Sequence, residues 1–375
     1  MHPLVWLDDH ADARRAAGLR RELRPRAADE PGIDLAGNDY LGLSRDPRVL
    51  AGAVDALHVW GAGSTGSRLV TGTTTLHTEL ERELAAFCGA PAALVFSSGY
   101  TANLGVLTAL SGPGALIVSD VANHASLVDA CRLSRARIAV VAGPAAVDDA
   151  LATRSEARAL VVTDGVNSVD GSLAPLRELH AVCRARGAVL VVDEAHALGV
   201  CGPGGRGLLA QVGLAGADDV VATVTLSKAL GSQGGAVLGP AAVVAHLVDA
   251  ARSFIFDTAL APSCAGAALA ALRVLAAEPG RPGAVLRVAA ALAHAAGVPA
   301  PPSAVVSVVL GEPERALAVA GRCAERGVRV GCFRPPSVPV GTSRLRLTAR
   351  ATLTDLELAH VHAVLADVLV PAAAR

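Results

Sequence analysis

Short apolar runs alternate with helical patterns along the chain from about residue 80 onward. The runs are uncharged and apolar on both faces, and they occupy residues 92–96, 115–118, 138–141, 159–162, 188–192, 220–226 and 236–238. Strands of this kind belong to a sheet covered by helices on each side, and their alternation with helices favours parallel pairing. The pattern therefore predicts an α/β doubly wound domain with a large, mostly parallel sheet.

The pattern changes at the Pro/Gly-rich segment 278–283, which indicates a domain boundary. Beyond it, the periodicity predicts helices near 284–296, at 313–326 and from Thr354 onward, with strands at 305–310 and 344–348. The first ~25 residues, apolar at intervals among arginines, predict an amphipathic helix. We therefore expect an N-terminal helix and segment (1–45), a large α/β domain (46–278) and a small C-terminal α+β domain (279–375).

Two uncharged stretches, 84–119 and 288–311, are long enough to raise the question of a membrane span. Each contains prolines or glycine-rich turns that break a spanning helix, so neither predicts one. The N-terminus does not read as a signal peptide, and the seven cysteines form no C-x-x-C pair. These features predict a cytoplasmic protein with reduced thiols and without a disulfide framework.

The charges along the chain are balanced. There are 33 arginine and lysine residues against 34 aspartate and glutamate residues, which gives a formal net charge of -1. A chain of this kind has no bulk positive field to hold a phosphate backbone or an anionic bilayer. We therefore expect no nucleic-acid partner and no membrane partner.

Lys228 is the single lysine among the 33 basic residues. An arginine supplies charge and hydrogen bonds as well as a lysine does, but it does not lose its proton to become an amine nucleophile or a Schiff base. The lysine is therefore a candidate for covalent chemistry. The alternative is a surface lysine left by chance, and composition alone does not separate the two.

Residues 61–66 match the dinucleotide-binding pattern G-x-G-x-x-G. That pattern needs a preceding apolar strand, whereas residues 54–60 have helical spacing and include a charged residue, Asp55. We therefore expect a loop that lines a pocket or a dimer interface, and no nicotinamide or flavin site.

Polar side chains follow three of the predicted strands. The pairs are Asp164 and Ser168, Asp193 and His196, and Thr225 and Lys228. Because parallel strands end at one edge of a sheet, and open α/β sheets bind their ligands at that edge, we expect these side chains to converge. The turn at 97–103 lies between a strand and a helix, where backbone N–H groups can hold a phosphate.

Asp193 and Lys228 together suit pyridoxal phosphate (PLP). A carboxylate keeps the pyridine nitrogen protonated, which makes the ring an electron sink, and a lysine carries the aldehyde as a Schiff base. Other chemistries fit less well, because the chain lacks the His/Cys spacing of a metal site and the G-x-S-x-G elbow of a serine hydrolase.

Seven motifs resemble the α-oxoamine synthases, a family of fold-type-I PLP enzymes, over nearly the whole chain. They are NDYLGL at 38–43, TGSRL at 65–69, SGYTAN at 98–103, HASL at 124–127, DEAH at 193–196, LSK at 226–228 and RPPSVP at 334–339. The last motif, followed by GTSRLRLT at 341–348, points to the branch of the family that uses L-alanine and a pimeloyl thioester. The resemblance implies a fold-type-I transferase fold.

The resemblance also implies which residues form the site. Lys228 would form the Schiff base and act as general acid/base, Asp193 would pair with the pyridine nitrogen, and His124 would stack on the ring. His196 and Ser168 would contact the phenolic oxygen and its surroundings. The phosphate would be held by Gly99, Tyr100 and Thr225 and, from the second subunit of a homodimer, by Thr258. Arg334 would pair with the amino-acid carboxylate, while Arg20, Asn38, His124 and Ser337 would line the substrate site.

The activity that the resemblance implies is a decarboxylative condensation of L-alanine with a pimeloyl thioester in biotin biosynthesis. The acyl donor could be carried on coenzyme A or on a carrier protein. Two alternatives remain: a sister synthase such as glycine C-acetyltransferase, or a non-catalytic binding protein that kept the fold. The presence of Lys228 and Asp193 together with His124 and His196 argues against the non-catalytic binding protein, because a site without catalysis does not need an amine that can lose its proton.

A few positions depart from the family's usual residues. Asp164 stands where glutamate is common, Asn167 where an aromatic residue is usual, and Ser337 where threonine is usual. Residues 140–144 replace a segment that often carries His-Asn-Asp. Asn167 bears most on function, because it adjoins Ser168 and so affects the shape of the pocket for the acyl chain.

Overall fold

A computed structural model describes residues 2–369 of the chain. Its strands, in chain order, are β1 (Ile33–Leu35), β2 (Ala92–Phe96), β3 (Ala115–Asp120), β4 (Arg137–Val141), β5 (Arg158–Asp164), β6 (Val189–Asp193), β7 (Val220–Thr225), β8 (Gly235–Gly239), β9 (Val305–Gly311), β10 (Val328–Phe333) and β11 (Ser343–Thr348).

The helices of the same residues follow in chain order. They are α1 (Trp6–Ala16), α2 (Pro47–Trp60), α3 (Thr75–Cys88), α4 (Gly99–Leu110), α5 (Ala125–Ser134), α6 (Gly143–Ala152), α7 (Leu176–Arg186), α8 (Leu208–Gln211), α9 (Ala241–Ala250), α10 (Arg252–Ile255), α11 (Pro262–Ala277), α12 (Arg281–Ala296), α13 (Pro313–Glu325) and α14 (Asp355–Val368). Two short helical turns, Arg68–Gly72 and Pro203–Gly205, complete the set.

The larger sheet has the strand order β2-β8-β7-β6-β5-β3-β4. β8 runs antiparallel to both of its neighbours, and the remaining pairs are parallel. All seven strands lie where the apolar runs predict them, which confirms the expected α/β class with a mostly parallel sheet. β4 differs in one respect: it lies at the edge of the sheet, so its Val140 is 63% exposed and the strand is not covered on both faces.

Two hydrophobic clusters cover the two faces of this sheet. Successive side chains of a strand point to opposite faces, and β3 shows the result: Leu116 and Val118 belong to one cluster, and Ile117 belongs to the other. The apolar character of both faces therefore reflects burial on both sides. Burial of this kind is the main free-energy gain that holds the sheet between its helices.

The parallel strands bring their carboxyl ends to one edge. The register places Asp164, at the end of β5, opposite Asp193, at the end of β6, and Asp193 opposite Thr223 of β7. This edge is where the sequence predicts the polar side chains to converge.

The smaller sheet has the order β1-β10-β11-β9, with β1 and β10 parallel and the other pairs antiparallel. The strands at 305–310 and 344–348 are confirmed, as are the three helices that accompany them. The sequence analysis missed β1 and β10, because β1 has only three residues and β10 contains Arg329 and Gly331. The domain boundaries at 45/46 and 278/279 stay predictions.

The N-terminal helix is shorter than its pattern predicts. α1 ends at Ala16, and Gly18 adopts a φ of 64°, a left-handed conformation that ends helices. No residue of α1 is buried, so no packing extends the helix against this signal. The predicted helix is therefore wrong beyond residue 16. Within residues 2–369, no helix combines the length and the apolar character that crossing a bilayer requires.

The segment 61–66 follows a helix, as its context predicts. α2 ends at Trp60, so the glycine-rich residues do not open from a strand and lack the setting of a dinucleotide site. The loop contacts the segment before α11 instead: Ser64 Oγ donates to the carbonyl of Leu260 at 2.7 Å, and the amide of Ala259 donates to the carbonyl of Gly66 at 3.0 Å.

Candidate active site

Lys228 lies just beyond β7, with its amine at the carboxyl edge of the larger sheet. Its Nζ is 2.8 Å from Nε2 of His196. Burial lowers the pKa of Lys228 to about 8, while the carboxylates of Asp193 and Asp164 oppose this effect and the charge of Arg346 adds to it. A lysine with a pKa near 8 carries a substantial fraction of neutral amine under mildly alkaline conditions, which covalent chemistry requires.

Asp193 ends β6 and is held in place by two donors. Its Oδ2 accepts from Nδ2 of Asn103 at 2.7 Å, and its Oδ1 accepts from the amide of Ala195 at 2.8 Å. Asn103 is itself fixed, since its Oδ1 accepts from Thr223 Oγ1 at 2.6 Å and its amide nitrogen donates to Ser126 Oγ at 2.8 Å. The carboxylate is therefore oriented by α4 and by its own loop.

A second carboxylate, Asp164, lies beside Asp193 at the end of the neighbouring strand. Burial and the charge of Asp193 raise the pKa of Asp164 well above its ordinary value. Its Oδ2 accepts from the backbone amide of His124 at 3.1 Å. Asp164 therefore positions the start of α5, where His124 stands.

His124 precedes α5 and caps it. Its Nδ1 accepts from the amide of Ser126 at 3.2 Å and lies 2.7 Å from Ser126 Oγ. Burial lowers the pKa of His124, the charge of Asp193 opposes this, and the charge of Lys228 adds to it. The ring is thus a neutral, fixed imidazole near both groups, as a stacking partner for an aromatic cofactor has to be.

His196 connects Lys228 to a buried polar network. Its Nδ1 is 2.5 Å from Tyr40 Oη, and the same Tyr40 Oη lies 3.3 Å from Asn38 Oδ1. Arg346 reaches the same network from β11: its Nη1 donates to Asn38 Oδ1 at 3.0 Å, and its Nε donates to the carbonyl of Ser168 at 2.6 Å. Two predicted site residues, Asn38 and Ser168, are thereby tied to Lys228 through His196 and Tyr40.

The N-terminus of α4 adjoins the end of β7 and provides a site for an anion. Ser98 caps the helix, with its Oγ accepting from the amide of Thr101 at 3.1 Å. Gly99 packs so closely that a Cβ there would lie 3.3 Å from Cβ of Thr225, and a Cβ on Gly235 would collide with the amide nitrogen of Gly99. The small residues keep these backbone N–H groups accessible, which suits a phosphate.

The other predicted residues make contacts of their own. Tyr100 Oη donates to Asp129 Oδ2 at 2.6 Å, and Thr258 is exposed and pairs with Ser67 in an isolated β-bridge. Arg334 Nη1 donates to the carbonyl of Gly18 at 2.5 Å. Arg20 and Ser337 are exposed, Arg20 beside Glu22 at 3.6 Å and Ser337 donating its amide to the carbonyl of Arg334 at 3.0 Å. Their predicted roles stay predictions.

The residues at the sheet edge fit PLP as a set. A buried carboxylate suits a protonated pyridine nitrogen, a partly buried amine with a lowered pKa suits an aldehyde, and the start of a twelve-residue helix suits a phosphate. Asp193, Lys228 and Gly99 supply these three groups. The packing of Gly99 against Thr225 links the phosphate end to the strand that carries Lys228.

Three residues of the site were missed as such by the sequence analysis. Tyr40 and Asn103 lie within recognised motifs, but no spacing shows that they contact His196 and Asp193. Arg346 is one of many arginines and lies in a predicted strand, yet it is only 4% exposed and contacts Asn38 and Ser168. The sequence signal for Arg346 was its place between two leucines in a short predicted strand, because a charged residue is uncommon at a buried position.

The pKa of Lys228 leads to a prediction for the protein freed of cofactor. The rate of covalent PLP attachment is expected to rise about tenfold per pH unit below pH 8 and to level off above it, because only the neutral amine reacts. Stopped-flow absorbance across pH 6–10, with N-acetyl-lysine measured in parallel, tests this. A profile that still rises through pH 10, like that of the free lysine, would contradict the buried environment of Lys228.

Comparisons with known proteins agree with this geometry. The family model for aminotransferases of class I and II matches residues 30–365. An 8-amino-7-oxononanoate synthase of Mycobacterium sp. (strain KMS) is 68% identical, over 99% of this chain and 98% of its own. A serine palmitoyltransferase of Sphingomonas wittichii shares the fold with a TM-score of 0.91 at 30% identity, over 99% of both chains.

A further solved structure carries the cofactor. It is a serine palmitoyltransferase variant from S. paucimobilis with a bound PLP–myriocin aldimine, and it matches with a TM-score of 0.89 at 31% identity over 98% of both chains. The fold is accordingly that of the fold-type-I PLP transferases. The chain belongs to the 8-amino-7-oxononanoate synthases, within the class I and II aminotransferase family.

Proposed function

We propose that the protein condenses L-alanine with a pimeloyl thioester, carried on coenzyme A or on a carrier protein, to give 8-amino-7-oxononanoate, carbon dioxide and the free thiol carrier. This is a PLP-dependent acyl transfer in biotin biosynthesis. The observation that carries the proposal is the partly buried amine of Lys228, with its lowered pKa, at the strand edge that also holds Asp193. The choice of substrates follows the name of the 68% identical relative.

PLP, when bound, supplies an electron sink that stabilises negative charge on the α-carbon of the amino acid. The protein supplies the proton transfers to and from that carbon. Lys228 fits this role, because an amine with a pKa of about 8 takes up and returns a proton near neutral pH with little driving force lost in either direction.

Asp193 holds the proton on the pyridine nitrogen. Its carboxylate is buried and is oriented by Asn103 and by the amide of Ala195, so that it need not reorganise when it takes this role. His124 covers the ring. The N-terminus of α4, with Gly99, Tyr100 and Thr225, binds the phosphate, and Thr258 of a second subunit completes that site.

The carboxylate of L-alanine needs a cationic partner, and two arginines are candidates. The family resemblance implies Arg334, whose Nη1 donates to the carbonyl of Gly18 in the N-terminal segment. Arg346 is buried, donates to Asn38 and lies close enough to Lys228 for its charge to lower the pKa of that lysine. We propose that Arg346 binds the carboxylate together with Arg334, with Asn38, Arg20 and Ser337 lining the same side.

Exchanging each arginine for lysine separates their contributions. Arg346→Lys is expected to raise the KM for L-alanine by about 10- to 100-fold, because a lysine loses the planar fork whose Nε and Nη1 bind Ser168 and Asn38 while Nη2 is left for the carboxylate. Arg334→Lys serves as the matched variant, with a smaller rise. Steady-state kinetics with varied L-alanine at saturating pimeloyl-CoA measures both. An unchanged KM in Arg346→Lys would remove this residue from the amino-acid site.

A homodimer in the cytoplasm is also part of the proposal. Support for the dimer comes from apolar side chains that this chain exposes on and after α2, among them Val59, Trp60 and Val70. Support for the compartment comes from the seven cysteines, all of which are free thiols. Light scattering of the purified protein tests the dimer.

The proposal is tested by substrate choice. PLP-loaded protein should consume L-alanine with pimeloyl-CoA and leave glycine and serine largely unused. Turnover of glycine with acetyl-CoA would move the chain to a sister synthase. Failure to attach PLP covalently would favour the non-catalytic binding protein.

A further inference from the structure

Tyr40 and His196 are 156 positions apart, yet their side chains meet beside Lys228. Tyr40 is completely buried, and its Oη lies 2.5 Å from Nδ1 of His196. The other nitrogen of the same ring, Nε2, lies 2.8 Å from Nζ of Lys228. A neutral imidazole carries its proton on only one nitrogen, so whatever bonds to Nδ1 determines what Nε2 offers to Lys228.

His196 is neutral in this setting. Burial and the positive charges of Lys228 and Arg346 lower its pKa well below the ordinary value. The ring therefore exists as one of two tautomers, and the side that faces Lys228 is either an N–H donor or a lone pair.

The phenol of Tyr40 is the donor in its contact with the ring. Burial raises the pKa of Tyr40 to about 12, so the hydroxyl keeps its proton. The hydroxyl has one proton and two acceptors within reach, Nδ1 of His196 at 2.5 Å and Oδ1 of Asn38 at 3.3 Å. The contact with His196 is much the shorter, and Asn38 Oδ1 already accepts from Arg346 at 3.0 Å, so the proton goes to His196. Arg346 also lies next to the phenol, and its guanidinium can only donate hydrogen bonds. A lone pair of Tyr40 Oη therefore faces Arg346, and the hydroxyl proton points away from Arg346.

We propose that Tyr40 is a positioning residue that holds neutral His196 with its proton on Nε2, so that the imidazole presents an N–H to the Lys228 side of the site. Asn38 and Arg346 support the phenol from the other side, since Asn38 Oδ1 lies 3.3 Å from Tyr40 Oη and accepts from Arg346 at 3.0 Å. This inference rests on the proposed function and deepens it.

The tautomer matters for the charge state of Lys228. An N–H directed at the lysine nitrogen disfavours its protonated form, whereas a lone pair would stabilise that form. The same N–H is available to an anionic oxygen of the cofactor. Charged and titratable groups of several elements act on Lys228 together with His196; they are Asp164, Asp193, His124 and Arg346.

Tyr40→Phe removes the hydroxyl and keeps the ring. Without its donor at Nδ1, His196 can turn its lone pair at Nε2 toward Lys228. In the PLP-loaded variant, without substrate, the absorbance midpoint for protonation of the lysine-linked nitrogen is expected to rise by about one pH unit. Ser134→Ala is the control, because it removes a buried hydroxyl that is bound to the carbonyl of Cys131 outside the site, and its midpoint should equal that of the unchanged protein.

A double variant shows whether Tyr40 acts through His196. In a His196→Gln background, Tyr40→Phe is expected to cause no further shift of the midpoint, since the group it positions is gone. An equal shift in both backgrounds, or an unmoved midpoint in Tyr40→Phe alone, would overturn the proposal.

A measurement on the unsubstituted protein keeps the inference testable should Tyr40→Phe not fold. Nitrogen-15 NMR of histidine-labelled holoenzyme distinguishes protonated from unprotonated ring nitrogens, and His196→Gln identifies the signals. We expect a protonated Nε2 and an unprotonated Nδ1, and the opposite tautomer would refute the proposal. A protein that shows no lysine-linked cofactor band at all would instead count against the proposed function.

Discussion

Replacing Lys228 with arginine is expected to lower turnover by about 10³-fold or more, because a guanidinium does not take part in proton transfer or in covalent attachment of an aldehyde near neutral pH. The fold should persist, since the chain uses arginine at every other basic position. Circular dichroism, cofactor absorbance and the rate of product formation measure the three effects separately.

The matched control keeps Lys228 and adds a second lysine at the surface. Arg287 is exposed on α12, and Arg287→Lys should keep both turnover and cofactor attachment. Borohydride reduction followed by peptide mass mapping should find the cofactor on Lys228 in the unchanged protein and in this control. Attachment at another residue, or substantial turnover in Lys228→Arg, would contradict the role of Lys228.

Removing the carboxylate of Asp193 should have the second largest effect. Asp193→Ala is expected to keep the fold and to reduce kcat by about 10²- to 10³-fold, because the pyridine nitrogen loses the anion that keeps it protonated. Asn103 loses an acceptor in this variant but retains its bond to Ser126 Oγ, which limits the structural damage. Steady-state kinetics at saturating substrates and PLP gives kcat.

Glu194, the next residue along the chain, provides the control for this variant. Glu194 is also buried, but it accepts from the amide of Leu209 at 2.9 Å, at the start of the short helix α8. Glu194→Gln keeps an acceptor there and should retain near-normal turnover. Near-normal turnover in Asp193→Ala would exclude the proposed pairing with the pyridine nitrogen.

The larger sheet could be predicted from the sequence because its strands are buried on both faces. Burial on both sides leaves uncharged apolar runs that need no partner to be recognised. The same logic located the polar residues at the ends of β5, β6 and β7, since parallel strands end at a common edge. The link between His196 and Lys228 shows how closely two of those ends meet.

The smaller elements could not be predicted because their stability comes from their partners. β1 has three residues and exists through its pairing with β10. α1 ends early because no neighbour buries it. The local sequence pattern does not show that β1 has a pairing partner or that α1 lacks a packing partner.

The supporting residues of the site could not be predicted for a similar reason. Tyr40 meets His196 across 156 positions, and Arg346 meets Asn38 across 308. Neither contact follows from a recognisable spacing of residues in the sequence. Arginine is also so frequent in this chain that a single buried arginine is not distinguished from the others by sequence alone. Only the folded arrangement shows that these residues surround Lys228.

The most direct test is the reaction itself. PLP-loaded protein is given L-alanine and pimeloyl-CoA, and the products are identified by mass spectrometry. The account predicts 8-amino-7-oxononanoate with equal amounts of carbon dioxide and coenzyme A. Loaded protein that forms no such product from either pimeloyl-CoA or a pimeloyl carrier protein, or that forms a ketone from glycine instead, would contradict it.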